Sequence, residues 1–199
     1  MILPALPSLQ PTARLSSAAC LLVFSGFIAQ VQAKPEALEI TSATTAQLPQ
    51  GKEADGIIGD FVLRNDRVEA VISANLPLRR ANMSTFYGAD GITPGCLYDL
   101  TLRGAQNDQI TVFTPAFQQG AVSWVRIVEP SSSEVAAVEC VVTAASGGGV
   151  YRKHVYSLED GWQGLLVTTT LRNESETAKK VVFEDRWTNF LKTGVAPGG

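Results

Sequence analysis

Residues 59–73 read GDFVLRNDRVEAVIS, two apolar runs that meet across Asn65-Asp66. Successive side chains on a strand point to opposite faces. A hairpin closed at Asn65-Asp66 pairs Arg64 with Arg67, Leu63 with Val68, Val62 with Glu69 and Phe61 with Ala70. Phe61, Leu63, Val68, Ala70 and Ile72 then share one wholly apolar face, while Asp60, Arg64, Arg67 and Glu69 fall on the other. Asn and Asp tolerate the positive φ angles that a primed two-residue turn demands. A slip of one residue would turn the apolar set to water, so the pattern specifies its register. The stretch predicts a hairpin laid on a core, with a solvated, charged outer face.

The same grammar runs through the rest of the chain. Short runs rich in Val, Thr, Ile, Tyr and Trp recur at 96–102, 110–114, 121–128, 135–144, 150–158, 165–172 and 181–188, each ended by Gly, Pro, Asn or Ser clusters. No amphipathic helix of useful length intervenes. Evenly spaced short strands with turns between them predict an all-β, antiparallel β-sandwich. In the last run Val181, Phe183, Asp185 and Trp187 share one face, read as the core face; Asp185 on it is either partly buried with a partner or, the simpler reading, exposed at a strand end. Residues 75–95 are rich in Pro, Gly, Asn and Arg and read as a long loop, a place where binding residues concentrate.

The first 33 residues stand apart. Arg14 is their only charge; an apolar run follows at 18–28, and the segment closes on Val31-Gln32-Ala33. That is the layout of a secretory signal, and the run is too short to span a bilayer as a helix. The expected organisation is a signal peptide at 1–33, a lead-in at 34–58 and a sandwich domain at 59–199. The expected location is exported, periplasmic or extracellular. Cys96 and Cys140 remain in the mature chain; in an oxidising compartment they can form a disulfide or stay as two buried free thiols.

Composition narrows the chemistry. The net charge is −3, with no basic stripe to release counterions from phosphate, which argues against nucleic acid; dispersed charge argues against a membrane surface. One histidine, His154, and two distant cysteines supply no close-spaced ligand pair, so no metal and no cofactor is expected. His154 alternates with Arg152 and Tyr156 and reads as an ordinary strand residue. No Gly-x-Ser-x-Gly elbow or phosphate loop is present. Glu184 and Asp185 are adjacent on one run, so they point to opposite faces and make no glycosidase pair. No catalytic residue is assigned. Arg79, Arg80, Asn82, Tyr87 and Asp90 in the long loop, with Trp162 in a turn, are the candidate ligand-binding residues; aromatic faces beside Asp and Arg suit a carbohydrate.

GKEADGIIGDFVLRNDRVEAVIS at 51–73, RRANM at 79–83 and PGCLYDLTL at 94–102 together resemble the N-terminal β-rich region of large exported bacterial proteins, planctomycete-like in origin. In those proteins such a region precedes a PHP-type metallohydrolase domain of the CehA/McbA group. VYSLEDGWQGLLVTTTLRNES at 155–175 is similar to a passage of galactose-mutarotase-like sandwiches. The resemblance implies a supersandwich-like module that continues past residue 199 and partners a downstream domain, with the hydrolase's metal ligands lying there. None of those ligands has a counterpart in this chain, nor does the histidine set of a mutarotase. The expected function is a non-catalytic module that packs against or presents a downstream domain; the alternative is a carbohydrate-binding or carbohydrate-processing sandwich.

Overall fold

A computed structural model describes residues 34–51, 54–80, 93–106, 110–117, 121–129 and 134–189. Among the described residues ten strands form: β1 (Glu36–Glu39), β2 (Phe61–Arg64), β3 (Val68–Ile72), β4 (Leu97–Leu102), β5 (Ile110–Thr114), β6 (Trp124–Glu129), β7 (Val135–Val142), β8 (Val150–Glu159), β9 (Leu166–Asn173) and β10 (Arg186–Asn189). They make two antiparallel sheets, a six-stranded one ordered β1-β2-β3-β4-β5-β10 and a four-stranded one ordered β6-β7-β8-β9. The sheets stack face to face, β1 over β6 and β7, β2 over β7 and β8. The all-β sandwich expected from the alternation is the fold observed.

Between the sheets, Phe61, Leu63, Ala70, Ile72, Leu97 and Phe113 meet Ala136, Val138 and Tyr156. The face chosen for β2 and β3 from sequence is therefore the core face. The register differs by two residues: Leu63 pairs with Ala70 and Arg64 with Glu69. The reason is Asn65. Its Oδ1 accepts the N–H groups of Arg67 (2.8 Å) and Val68 (2.9 Å), an Asx turn that puts Asp66-Arg67 at the tip. Neither Asn65 nor Asp66 has a positive φ. A two-residue shift keeps every side chain on its face, so the core assignment survives.

The outer face of the larger sheet is not solvated. Val62, Val71, Cys96, Tyr98 and Val112 are buried there with Ile40, and Leu38 and Leu48 pack against them. Residues 34–51 and 54–58 thus belong to the sandwich rather than leading into it: they supply β1, and Ile40 and Leu48 then pack on this outer face. Asp60 and Glu69, expected on a wet surface, are 0% and 7% exposed. A bulge between β3 and β4 pairs Ile72 with Leu97 but Val71 with Asp99. An extra residue in one strand breaks the alternation, so both Tyr98 and Asp99 go to the outer side.

At its inner edge the larger sheet is fastened to the smaller one at Gly95. Its φ is +74°, a Cβ there would lie 2.2 Å from Cys140 Sγ, and its carbonyl accepts the Tyr156 hydroxyl at 2.9 Å. Only glycine fits so close an approach with that backbone.

Candidate functional site

Three polar constellations and one open side are candidates. The first is built on Asp60, the residue before β2. Its carboxylate is wholly buried and accepts the N–H groups of Ile57 (2.9 Å) and Ala74 (2.8 Å). Arg79 completes it, with Nε 3.2 Å from Oδ1 and an Nη 2.6 Å from Oδ2. The guanidinium also donates to the carbonyls of Asp55 and Arg80 and lies 4.4 Å from the centre of the Tyr98 ring. Asp55 in turn donates its N–H to Asp99. Burial raises the Tyr98 hydroxyl well above its usual pKa, the neighbouring Thr93 hydroxyl and Arg79 opposing. A buried ion pair holds when its remaining donors and acceptors are satisfied, as these are. Arg79 has its donors committed inside the protein, so it clamps the start of the 75–95 loop to the outer face of the sheet.

The second constellation closes the other end of β2. Asn65, 1% exposed, donates through Nδ2 to the carbonyls of Glu159 (2.8 Å) and Trp162 (2.9 Å). The β2–β3 tip is thereby clasped to the β8–β9 turn, one sheet to the other. Trp162 is half-buried in that turn.

The third lies between the sheets. On β8, Val150, Arg152, His154, Tyr156 and Leu158 all point inward. His154 is 0% exposed; Nδ1 is 3.0 Å from Thr169 Oγ1 on β9, and Nε2 has no partner. Burial, with Arg152 beside it, holds the imidazole pKa down to about 4, against a smaller opposing pull from Asp185. Asp185 itself accepts the N–H of Ala116 at 2.8 Å. Ala116 carries φ +46°, ψ +35° in the turn Pro115–Phe117, a left-handed conformation that costs a non-glycine residue about 1 kcal/mol or more. The carboxylate holds that turn closed. Asp185 is thus exposed at a strand end, the simpler of its two expected settings: strand β10 begins only at Arg186, after the expected run has passed 181–185 without pairing.

The open side is where β9 and β10 lie. Since β1 stands over β6, the opposite edges, β10 and β9, share a side, and the turn Pro115–Phe117 touches both. The larger sheet carries two more strands than the smaller one, an overhang of about 10 Å at the spacing of paired strands. Trp187 stacks on Phe113, ring centres 4.4 Å apart, yet is 58% exposed. Phe183 is 67% exposed, and Val181 and Val182 are exposed beside it. On β9 the inward side chains Val167, Thr169 and Leu171 are only half-buried, whereas Val138, Tyr156 and Leu158 are fully so. The last run was expected to place Val181, Phe183 and Trp187 in the core; nothing among the described residues covers them.

The sequence-derived ligand set is dispersed. Arg79 and Trp162 stand at opposite ends of β2, roughly 17 Å apart at the rise of a strand, and Arg80 is exposed. Asn82, Tyr87 and Asp90 lie outside the described residues. Cys96 and Cys140 are both buried and free. Cys96 packs with Val62, Val71 and Tyr98, and Cys140 with Val122 and Val142. Burial pushes the Cys96 thiol up to about 12 and the Cys140 thiol likewise upward. Among the described residues no group of three or more His, Cys, Asp or Glu side chains is placed to hold a metal ion, and no helix is long and apolar enough to cross a membrane.

Fold and site together define an antiparallel β-sandwich, polar clamps at both ends of β2 and one uncovered apolar side. No family model, no curated protein and no solved structure matches the chain.

Proposed function

We propose that this chain is an exported, non-catalytic β-sandwich module whose open side packs against a downstream domain of a longer protein. The observation that carries the reading is the exposure of Val181, Val182 and Phe183 in the segment that leads into β10, and of Trp187 on β10 itself. Large apolar side chains grouped on a surface mark an interaction site rather than a random exposure. The polar clusters support the same reading, because their donors and acceptors tie segments of the module together. The resemblance at 51–102 makes a metallohydrolase the expected neighbour. A carbohydrate site would draw on Arg79 and Trp162 jointly, and their separation along β2 favours packing over sugar binding.

The test compares residues 34–199 with the natural longer polypeptide. The short form should self-associate and bind an apolar dye, and the long form should do neither. A short form that stays monomeric and unfolds in a transition as sharp as the long form's overturns the proposal.

A further inference from the structure

His154 is thickly covered on every side but one. On β8 it stands between Arg152 and Tyr156, all three turned inward. Cys140 lies opposite it on β7, a strand buried from Ala136 to Val142. The inner face of the larger sheet presents Phe61, Leu63, Ala70, Ile72, Leu97 and Phe113, all apolar. On β9 the cross-strand partner is Thr169, whose hydroxyl is 3.0 Å from Nδ1. Among the described residues β9 pairs with β8 alone. Its inward side chains Val167, Thr169 and Leu171 are half-buried, and its outward Thr168, Thr170 and Arg172 are exposed. The thinnest cover between the imidazole and water is therefore β9, with Thr169 as its bolt.

A neutral imidazole suits this place and a charged one does not. Nε2 is buried with no hydrogen-bond partner among the described residues. Protonation makes both ring nitrogens donors, so Nε2–H would carry charge in the interior with no acceptor to meet it. Few charged or titratable groups face the ring. Arg152, two residues along the same face, repels a second cation, and the Asp185 carboxylate at the approach to β10 attracts it more weakly. Tyr156 and Cys140 stay neutral, since burial raises both. We infer that His154 is an acid-sensitive latch on β9: when the imidazole takes up a proton, this edge strand comes away from β8 while the larger sheet stays folded. A charge that the closed sandwich refuses reaches water through the opening that costs least. Here that opening parts one ladder, β8 with β9, whereas β7 and β8 are each paired on both sides.

Residue-resolved amide exchange in the dilute full chain tests this, with each rate divided by the free-peptide rate at the same pH. The reporters are Thr168, Thr170 and Arg172. Their N–H groups point to β8, in line with the Glu174 N–H on the Gly149 carbonyl and the Asn173–Val150 pair. Their protection should fall about 50-fold between about pH 7 and 4.5. It should stay below that of β3, a strand paired on both sides, and should hardly respond to low urea, as a small opening requires. Reporters that match β3 in protection and in urea response are exchanging through whole-fold unfolding, and that overturns the latch. In His154→Gln the fall should vanish; a fall of the same size in that variant gives the trigger to carboxylates and overturns it too. Should the variant not fold, the ring itself decides, because His154 is the one histidine in the sequence and its C–H resonances are unambiguous. They should keep their neutral positions well below pH 6.5. Titration near 6.5 with the reporters still protected would mean that the closed sandwich accepts the charge, and the latch would be wrong.

Discussion

Acid should destabilise this fold through His154, and the sign follows from where its proton goes. The imidazole has a folded pKa of about 4 against an ordinary value of 6.5, because burial and Arg152 disfavour its charged form. Above pH 6.5 it is neutral folded and unfolded, and it costs nothing. Between pH 6.5 and 4 the unfolded chain takes up a proton that the folded chain refuses, so stability falls as pH falls; below pH 4 the loss is complete. Each pH unit of that window is worth about 1.4 kcal/mol, so roughly 3 kcal/mol goes in all. The structure adds a reason for the size: Nε2 is buried without a partner among the described residues, Cys140 lies opposite on β7, Thr169 on β9 holds Nδ1, and the Asp185 carboxylate pulls the other way more weakly. Carboxylates titrate in the same range, so the measurement is a difference. Urea unfolding of the wild type and of His154→Gln, at intervals from pH 7.5 to 4, should give curves that diverge by about 3 kcal/mol as the pH drops. A difference that stays within about 0.5 kcal/mol across the window refutes the buried, neutral imidazole.

Other perturbations test the clamps and the leader. Asn65→Ala removes four hydrogen bonds and orphans the Glu159 and Trp162 carbonyls, so unfolding should cost about 2–4 kcal/mol less; a loss under about 0.5 would mean the clasp is not formed. Asp60→Ala strands the Arg79 guanidinium in the interior and should cost about 3–5 kcal/mol. Adding Arg79→Met should restore part of that, and strict additivity of the two would deny their coupling. Protein recovered from the periplasm or the medium should begin near Lys34 on N-terminal sequencing; an intact Met1 in the cytosol would contradict export.

What could be read from the residues follows from the range of the forces involved. Alternation is local, and Phe61, Leu63, Ala70 and Ile72 sit where it placed them. Arg152, His154 and Tyr156 share a face of β8 by the same alternation, and the structure turns that face inward. Turn chemistry is local too, but the side chain of Asn65 serves the backbone two and three residues ahead, which moved the tip by one position. The buried charges were illegible for a different reason. Asp60 is buried because Arg79, nineteen residues on, folds over it, and Glu69 because Arg103 and Gly104 reach it. A charge on an alternating strand reads as wet unless its distant partner is known. The bulge that turns Tyr98 and Asp99 to one side leaves no mark in LYDLTL. Phe183 and Trp187 failed the core expectation because periodicity reports which residues want burial, not whether a partner layer is there.

Whether such a layer exists can be measured at one atom. Cys96 and Cys140 are buried, with pKa values pushed upward, so neither offers a thiolate to a maleimide in the folded protein. Phe183→Cys then places one reactive thiol on the uncovered strip, at the position now 67% exposed. The labelling rate should be close to that of a free peptide thiol in residues 34–199, measured at a dilution where the short form is monomeric. In the natural longer polypeptide it should be slower by about 100-fold, the factor expected if access requires local opening. Equal rates in the two forms would mean that nothing covers the open side, and the account of this module as one half of a contact would be wrong.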